Sequence, residues 1–180
     1  MKRIEALYEQ MAEMADEDLY LIEPEFCREL YYHIPTELGS AELCSMNQSF
    51  VKQGSVERRP ACVTAFLTIV NWFAMSQRSG VWTFYEATDP NEIELTIQFL
   101  TERGDRELAS IFRYGAHDYQ NPKYAGNWKY PEEWIEEARE IDQWITEHET
   151  WLYRWERGLL LENQTLLCSL AFEKEYNLRK

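Results

Sequence analysis

The sequence has 180 residues, of which 45% are hydrophobic and 14% aromatic, a composition that supports a buried core and excludes wholesale disorder. Its formal net charge of −14 repels nucleic-acid phosphates and anionic membranes and attracts basic proteins. The first residues lack a signal-peptide pattern, the longest apolar run (61–75) is too short to cross a bilayer, and no Cys-x-x-Cys unit occurs. We therefore expect a soluble, cytoplasmic protein that binds neither nucleic acid nor membranes directly.

The first predicted helix covers residues 2–15, because Ile4, Leu7 and Met11 recur at steps of three and four and form an apolar stripe. A second helix is predicted over residues 19–34, with a proline in its first turn. Another face of the first helix carries three glutamates at steps of four, which we call the first acidic row: Glu5, Glu9 and Glu13.

Residues 36–59 contain many glycine, serine and asparagine residues, which predict loops. We expect one short helix near 41–46 and a mobile loop over 47–59. The next segment, 60–77, begins with a proline and is apolar around most of a helical circumference. A helix with this pattern is typical of the centre of a fold, so we predict a central buried helix here.

Two further helices are marked by clear start and stop signals. Asp89 is a predicted N-cap, Pro90 stands at the first helical position, and Gly104 ends the helix. Asp105 is predicted to cap the following helix, which ends at Gly115. The pair forms an αα-hairpin, and because it lacks a basic face we do not expect it to read DNA.

The longest predicted helix covers residues 131–157, where acidic residues outnumber basic ones; Gly158 is its predicted end, and a final helix follows over 159–176. No segment alternates like a strand. We therefore predict an all-α fold, a single-domain bundle of about six to eight helices over residues 1–180, built on the central helix and the αα-hairpin. The longest helix also carries three glutamates on one face, which we call the second acidic row: Glu133, Glu137 and Glu140.

No local pattern for catalysis or cofactor binding occurs. The three histidines, His33, His117 and His148, lie in no nucleophile motif, and the neighbouring side chains of 147–149 point to different faces of a helix and cannot chelate a metal as a unit. A phosphate-binding or dinucleotide-binding glycine loop is also absent. We therefore expect a non-enzymatic protein with no catalytic residue, metal or cofactor.

The acidic rows are the remaining candidates for a function. Side chains at steps of three and four on a helix stand about 5–6 Å apart at Cβ, which is comparable in scale to the spacing of phosphates along a nucleic-acid strand. A basic groove that binds DNA could accept such a row in place of the strand. The same pattern is also that of a solvated helix face, so both interpretations stay open.

The segment 79–86, Ser-Gly-Val-Trp-Thr-Phe-Tyr-Glu, precedes the αα-hairpin and follows the buried helix. It resembles a family of small, acidic, mostly helical bacterial proteins, the DNA mimic proteins and a related domain of unknown function. Their pattern here is Asn-Gly-Gly-Phe-x-Gln-aromatic-aromatic. When the unspecified position x is omitted from the alignment, four residues match it: Gly80, Trp82, Phe84 and Tyr85. Three depart from it: Ser79, Val81 and Thr83.

The matching residues are of structural types, a glycine turn and core aromatics. The resemblance implies an all-α homodimer whose acidic surface occupies the DNA site of a basic DNA-binding protein. The contact would be made by the two acidic rows. The alternative is an immunity or antitoxin protein that neutralises a toxin such as a nuclease. A third interpretation is an enzyme whose site combines tyrosines, His117 and carboxylates.

Overall fold

A computed structural model describes residues 2–33, 59–125 and 129–178. These residues form the following helices in chain order: α1 (Lys2–Ala12), a 3-10 helix (Asp16–Leu21), α2 (Glu23–His33), α3 (Ala61–Ser79), α4 (Trp82–Ala87), α5 (Pro90–Arg103), α6 (Arg106–Tyr114), α7 (Pro122–Ala125), α8 (Glu132–Glu147), α9 (Glu149–Glu162) and α10 (Gln164–Leu178). Eight of them have at least seven residues, and no described residue lies in a strand, which confirms the predicted all-α fold. The short helix predicted near 41–46 and nearly all of the loop predicted over 47–59 lie outside the described residues.

The helices group into two compact units. The first unit comprises Met1–Pro60 with Leu161–Lys180, and the second unit comprises Ala61–Leu160. The prediction of one all-α domain over residues 1–180 is consistent with this architecture, although nothing in the sequence pattern indicated the division. The first unit is closed by helices from both ends of the chain, because α10 packs against α1 and α2.

The predicted apolar stripe of α1 forms the core of the first unit. Ile4 and Met11 are buried, as are Phe26 and Leu30 of α2, and Tyr8 meets the Phe26 ring edge to face at 5.2 Å. Edge-to-face aromatic pairs of this kind stabilise a core beyond the area they bury. The stripe therefore holds α1 with its glutamate face turned away from the core.

The first two helices begin or end at other residues than predicted. Helix α1 ends at Ala12 instead of residue 15, because the N–H groups of Glu13 and Met14 bond the carbonyls three residues earlier, at 3.1 and 3.3 Å. Such tightening is common at helix ends. The segment predicted as one helix over 19–34 contains the end of the 3-10 helix and then α2, which begins at Glu23 with its proline in the first turn.

The predicted central helix is α3, which packs against α4, α5 and α8 in the second unit. Its buried residues cover most of its circumference: Cys62, Val63, Ala65, Phe66, Thr68, Ile69, Val70, Trp72 and Phe73. Burial on so many sides explains why the segment has no clear polar face.

The αα-hairpin forms as predicted by α5 and α6. The Asp89 carboxylate accepts the N–H of Asn91 at 2.8 Å, and Gly104 ends α5 with a φ of +91°. One detail of the prediction is wrong, because Asp105 makes no side-chain cap on α6. Its Oδ2 instead accepts hydrogen bonds from Arg103 and, at 2.8 Å, from Nε1 of Trp155 in α9. A tertiary contact has taken the place of the local one.

The helix predicted over 131–157 is two helices. Between α8 and α9, His148 has φ −114° and ψ 16°, and its N–H bonds the carbonyls of both Trp144 and Ile145. The imidazole stacks on the Trp144 ring with centroids 4.2 Å apart and planes 11° apart. The break depends on these side-chain and backbone contacts and not on a glycine or proline, so the sequence pattern did not reveal it.

The predicted end of this helical region at Gly158 is also wrong. Gly158 lies inside α9, which continues to Glu162, and the final helix begins at Gln164 instead of residue 159. A glycine within a helix costs only about 1 kcal/mol relative to alanine. The buried neighbours Leu159 and Leu160 are consistent with packing that offsets this cost.

Within the described ranges, no helix is long and apolar enough to cross a membrane.

Candidate functional site

The first acidic row lies on the exposed face of α1. Glu5, Glu9 and Glu13 are all exposed, and among the described side chains none forms an ion pair with them. Arg3, the cation of α1 whose side chain is described, points to Glu29 at 3.4 Å instead. Burial, and after it the negative charge of Glu5, raises the pKa of the Cys168 thiol. Within the described part of the chain, no cation therefore neutralises these three carboxylates.

The second acidic row is not uniform. Glu133 is exposed, whereas Glu140 accepts a hydrogen bond from the Tyr114 hydroxyl at 3.1 Å. Glu137 is partly buried and pairs with Nε2 of His117, whose ring stacks on Trp134 with centroids 4.7 Å apart. The second acidic row is therefore not a set of three equivalent solvated carboxylates, because Glu137 pairs with His117 and holds the segment that follows α6.

The four residues that carry the family resemblance are mainly architectural. Gly80 has a φ of +88° and makes the turn between α3 and α4. A side-chain carbon there would lie 3.1 Å from Cδ1 of Trp82 and 3.3 Å from the Asp142 carboxylate. Phe84 and Tyr85 are buried, while Trp82 is only partly buried and faces Tyr130 at 5.8 Å.

Tyr85 is the centre of a buried hydrogen-bond chain. Its hydroxyl accepts the Trp72 indole N–H at 2.9 Å and donates to the Phe112 carbonyl at 2.7 Å. Burial raises the pKa of Tyr85 well above its usual value, so the phenol keeps its proton and acts as a donor. This chain ties α3, α4 and α6 together, and its role is in keeping with the architectural one expected for the motif.

Asp142 completes the turn at Gly80, although no local pattern in the sequence indicated this role. Its Oδ1 accepts the Ser76 hydroxyl at 2.5 Å and the Val81 backbone N–H at 2.9 Å. Burial raises the pKa of this carboxyl, while those two hydrogen bonds lower it. Through Asp142, helix α8 fastens the end of α3 to the start of α4.

The tyrosines and His117 expected for an enzyme do come together, between α6 and α8. Tyr119 is buried and donates to the Trp134 carbonyl at 3.2 Å, and burial, followed by the charge of Glu137, raises its pKa. Burial, followed by a hydrogen bond to Glu86, raises the pKa of Tyr130 to about 12. Phenols that keep their protons supply hydrogen bonds and not a base or nucleophile. The arrangement is that of a packed aromatic cluster.

A surface groove lies between α6 and α8. It has a volume of about 500 Å³ and is lined by Glu107, Ser110, Ile111, Arg113, Tyr114 and Trp144. Sequence reasoning missed it, because its two walls come from helices that are not consecutive. The one available signal was the spacing of Glu107, Ile111 and Tyr114, which places them on one face of α6.

No group of three or more histidine, cysteine or acidic side chains that could hold a metal ion occurs among the residues described. Comparison with known proteins adds no relative: no protein family, curated protein or solved structure matches the chain. The resemblance to the DNA mimic family therefore stays a prediction, and a functional interpretation depends on the surfaces described above.

Proposed function

We propose that this is an acidic, non-enzymatic, cytoplasmic binding protein that occupies the DNA-binding surface of a basic DNA-binding protein. The observation that carries the proposal is the first acidic row, in which Glu5, Glu9 and Glu13 are exposed and form no ion pair with another described side chain. The net charge of −14 acts in the same direction, since it draws a basic partner over a distance and repels DNA itself.

The physical basis of the proposal is counterion release. Carboxylates at steps of four on one helix stand about 6 Å apart at Cβ, and each keeps a share of the surrounding cations. A basic groove that normally releases such cations from phosphates releases them from the row in the same way, and this release favours binding. In the second acidic row, Glu133 and Glu140 are exposed for such a contact, whereas Glu137 supports the fold through His117.

The test is a binding measurement with a matched control. A basic partner captured from native cells is purified and titrated with the unchanged protein and with the triple variant Glu5→Lys, Glu9→Lys, Glu13→Lys. The control is Glu92→Lys, Glu94→Lys, Glu102→Lys, which makes the same change of net charge on exposed positions of α5. We expect the row variant to bind at least about tenfold more weakly than the control. Equal affinities of the two variants would refute the proposal.

The identity of the captured protein separates the two functional classes. A transcriptional regulator or nucleoid protein that loses its DNA on binding supports DNA mimicry. A toxin whose activity is blocked, such as a nuclease, supports the immunity or antitoxin alternative, for which an exposed acidic row is equally suitable.

The homodimer implied by the family resemblance is tested separately, by sedimentation of the purified protein over a range of concentrations.

A further inference from the structure

The groove between α6 and α8 combines an aromatic surface with carboxylates. Ile111 and Tyr114 of α6 and Trp144 of α8 supply its apolar part, and Tyr114 is 43% exposed although it is aromatic. An exposed aromatic beside a concave surface is typical of a binding site. Each of these residues belongs to the second unit, so the groove is complete within it.

The aromatic side chains of the groove are held in place before any partner binds. The Trp144 ring stacks on His148 at 4.2 Å and meets Trp151 edge to face at 5.9 Å. The Tyr114 hydroxyl is fixed by its hydrogen bond to Glu140. A partner side chain that enters the groove therefore does not have to order these rings, and the entropic cost of binding is reduced.

The charge around the rings favours a cation. Glu107 lines the groove with a side chain that is 66% exposed, and its closest described basic group, Nε2 of His148, is 3.9 Å away. Glu140 stands one helical turn from Trp144 and reaches Tyr114. The charged residues among the six that line the groove are Glu107 and Arg113, and Glu140 adds a second carboxylate beside Tyr114.

We propose that this groove receives an arginine side chain of the basic partner, with the guanidinium against Trp144 and Tyr114 and between Glu107 and Glu140. Arginine fits better than lysine, because its planar guanidinium stacks on aromatic rings and pairs with carboxylates at once. The inference builds on the proposed function, and adds to it a specific side chain and a second contact surface beyond the first acidic row.

The test uses hexa-arginine as the probe, with hexa-lysine and uncharged hexa-citrulline as comparisons. Binding is followed by NMR at two groove signals, the Trp144 indole N–H and the Ile111 methyl groups. The groove variant is Glu107→Lys, Glu140→Lys. The control is Glu94→Lys, Glu102→Lys, which makes the same change of net charge on exposed α5 positions that do not line the groove.

We expect hexa-arginine to shift both groove signals, hexa-lysine to do so several-fold more weakly, and hexa-citrulline to leave them unchanged. The groove variant is expected to weaken hexa-arginine binding about tenfold, and the control less than about twofold. Groove signals that do not respond to hexa-arginine would overturn the inference. Equal weakening by both variants would do so too, because the binding would then reflect net charge alone.

Two further outcomes keep this inference distinct from the proposed function. Groove signals that shift with protein concentration and without peptide would show that a second copy fills the groove, which overturns the inference. If the groove fails these tests while the variant of the first acidic row still loses its partner, the proposed function stands. If hexa-arginine binds the groove as expected while the row variant keeps full affinity for the partner, the proposed function fails and the groove assignment stands.

Discussion

Three glycines differ in whether the backbone conformation or the neighbouring atoms oppose a side chain at their position. Gly80 and Gly104 have φ angles of +88° and +91°, whereas Gly158 lies inside α9. A side-chain carbon at Gly80 would approach Trp82 to 3.1 Å, but at Gly104 and Gly158 it would meet nothing within 4 Å. Gly80 is therefore required by both its backbone conformation and the lack of space, Gly104 by its backbone conformation alone, and Gly158 by neither.

These differences predict a graded response to alanine. Gly104→Ala should lower the free energy of unfolding by about 1–2 kcal/mol, because left-handed backbone is costly for residues with a side chain. Gly80→Ala should lower it further through crowding, and Gly158→Ala should leave it unchanged or raise it by up to about 1 kcal/mol. Denaturant titration of the three variants measures the order, and a loss at Gly158 as large as that at Gly80 would contradict it.

The buried hydroxyl of Tyr85 gives a second prediction at the level of single residues. Tyr85→Phe leaves the Trp72 indole N–H and the Phe112 carbonyl without this partner, so the free energy of unfolding should fall by about 1–3 kcal/mol. Tyr114→Phe serves as the control, since its hydroxyl is exposed and bonds only the exposed Glu140 among the described residues. We expect Tyr114→Phe to change the free energy of unfolding much less than Tyr85→Phe does. Equal losses, measured by urea unfolding, would show that the hydrogen-bond chain does not stabilise the core.

Helix α8 is the element that joins the features of the second unit. One side of it holds the Gly80 turn through Asp142, another holds the segment after α6 through Glu137, and Trp144 forms a wall of the groove. Its role explains why a helix rich in carboxylates cannot be treated as one solvated face. Carboxylates on the same helix have different functions.

The pH dependence of Asp142 follows from its burial. Burial raises the pKa of Asp142 above its usual value of 3.8. Between pH 3.8 and the raised pKa, the folded protein therefore keeps a proton on Asp142 that the unfolded chain has lost. The stability of the unchanged protein relative to Asp142→Asn should therefore fall as the pH rises from below 3.8 through the raised pKa, and should be constant above it. Denaturant titrations of the unchanged protein and of Asp142→Asn over acidic pH measure this difference, and a difference of opposite sign would contradict the assignment.

The two kinds of carboxylate in the second acidic row predict different responses to substitution. Glu137→Ala removes the partner of His117 and should lower the free energy of unfolding by roughly 1 kcal/mol, a value that allows for solvent screening of a partly exposed pair. Glu133→Ala, on the exposed face, should change it by less than about 0.5 kcal/mol. Equal denaturation midpoints for the two variants would show that the His117 contact adds no stability.

Local signals predicted much of the fold at the level of helices. The αα-hairpin was predictable because Asp89, Pro90 and Gly104 act within a few residues of their own positions. The break at His148 was not predictable, since it depends on stacking against Trp144 in the folded chain. The contact of Glu137 with a histidine 20 residues away in the sequence was hidden for the same reason.

The whole molecule carries a net charge of −14, and the exposed carboxylates of the two acidic rows belong to different units. If these charges make the contact with a basic partner, the affinity should fall steeply as salt is added, because salt screens exposed charges and weakens the gain from counterion release. Titrations at increasing sodium chloride concentration measure this slope. The variant of the first acidic row should show a shallower slope than the α5 control.

If this protein occupies the DNA-binding surface of a basic partner, it must compete with DNA for that partner. The basic partner is bound to labelled duplex DNA and titrated with this protein while fluorescence anisotropy reports the DNA-bound fraction. We expect the DNA to be released and its apparent Kd to rise linearly with the concentration of added protein. The variant of the first acidic row should displace the DNA at least about tenfold less well. A ternary complex in which the partner holds the DNA and this protein together would contradict it.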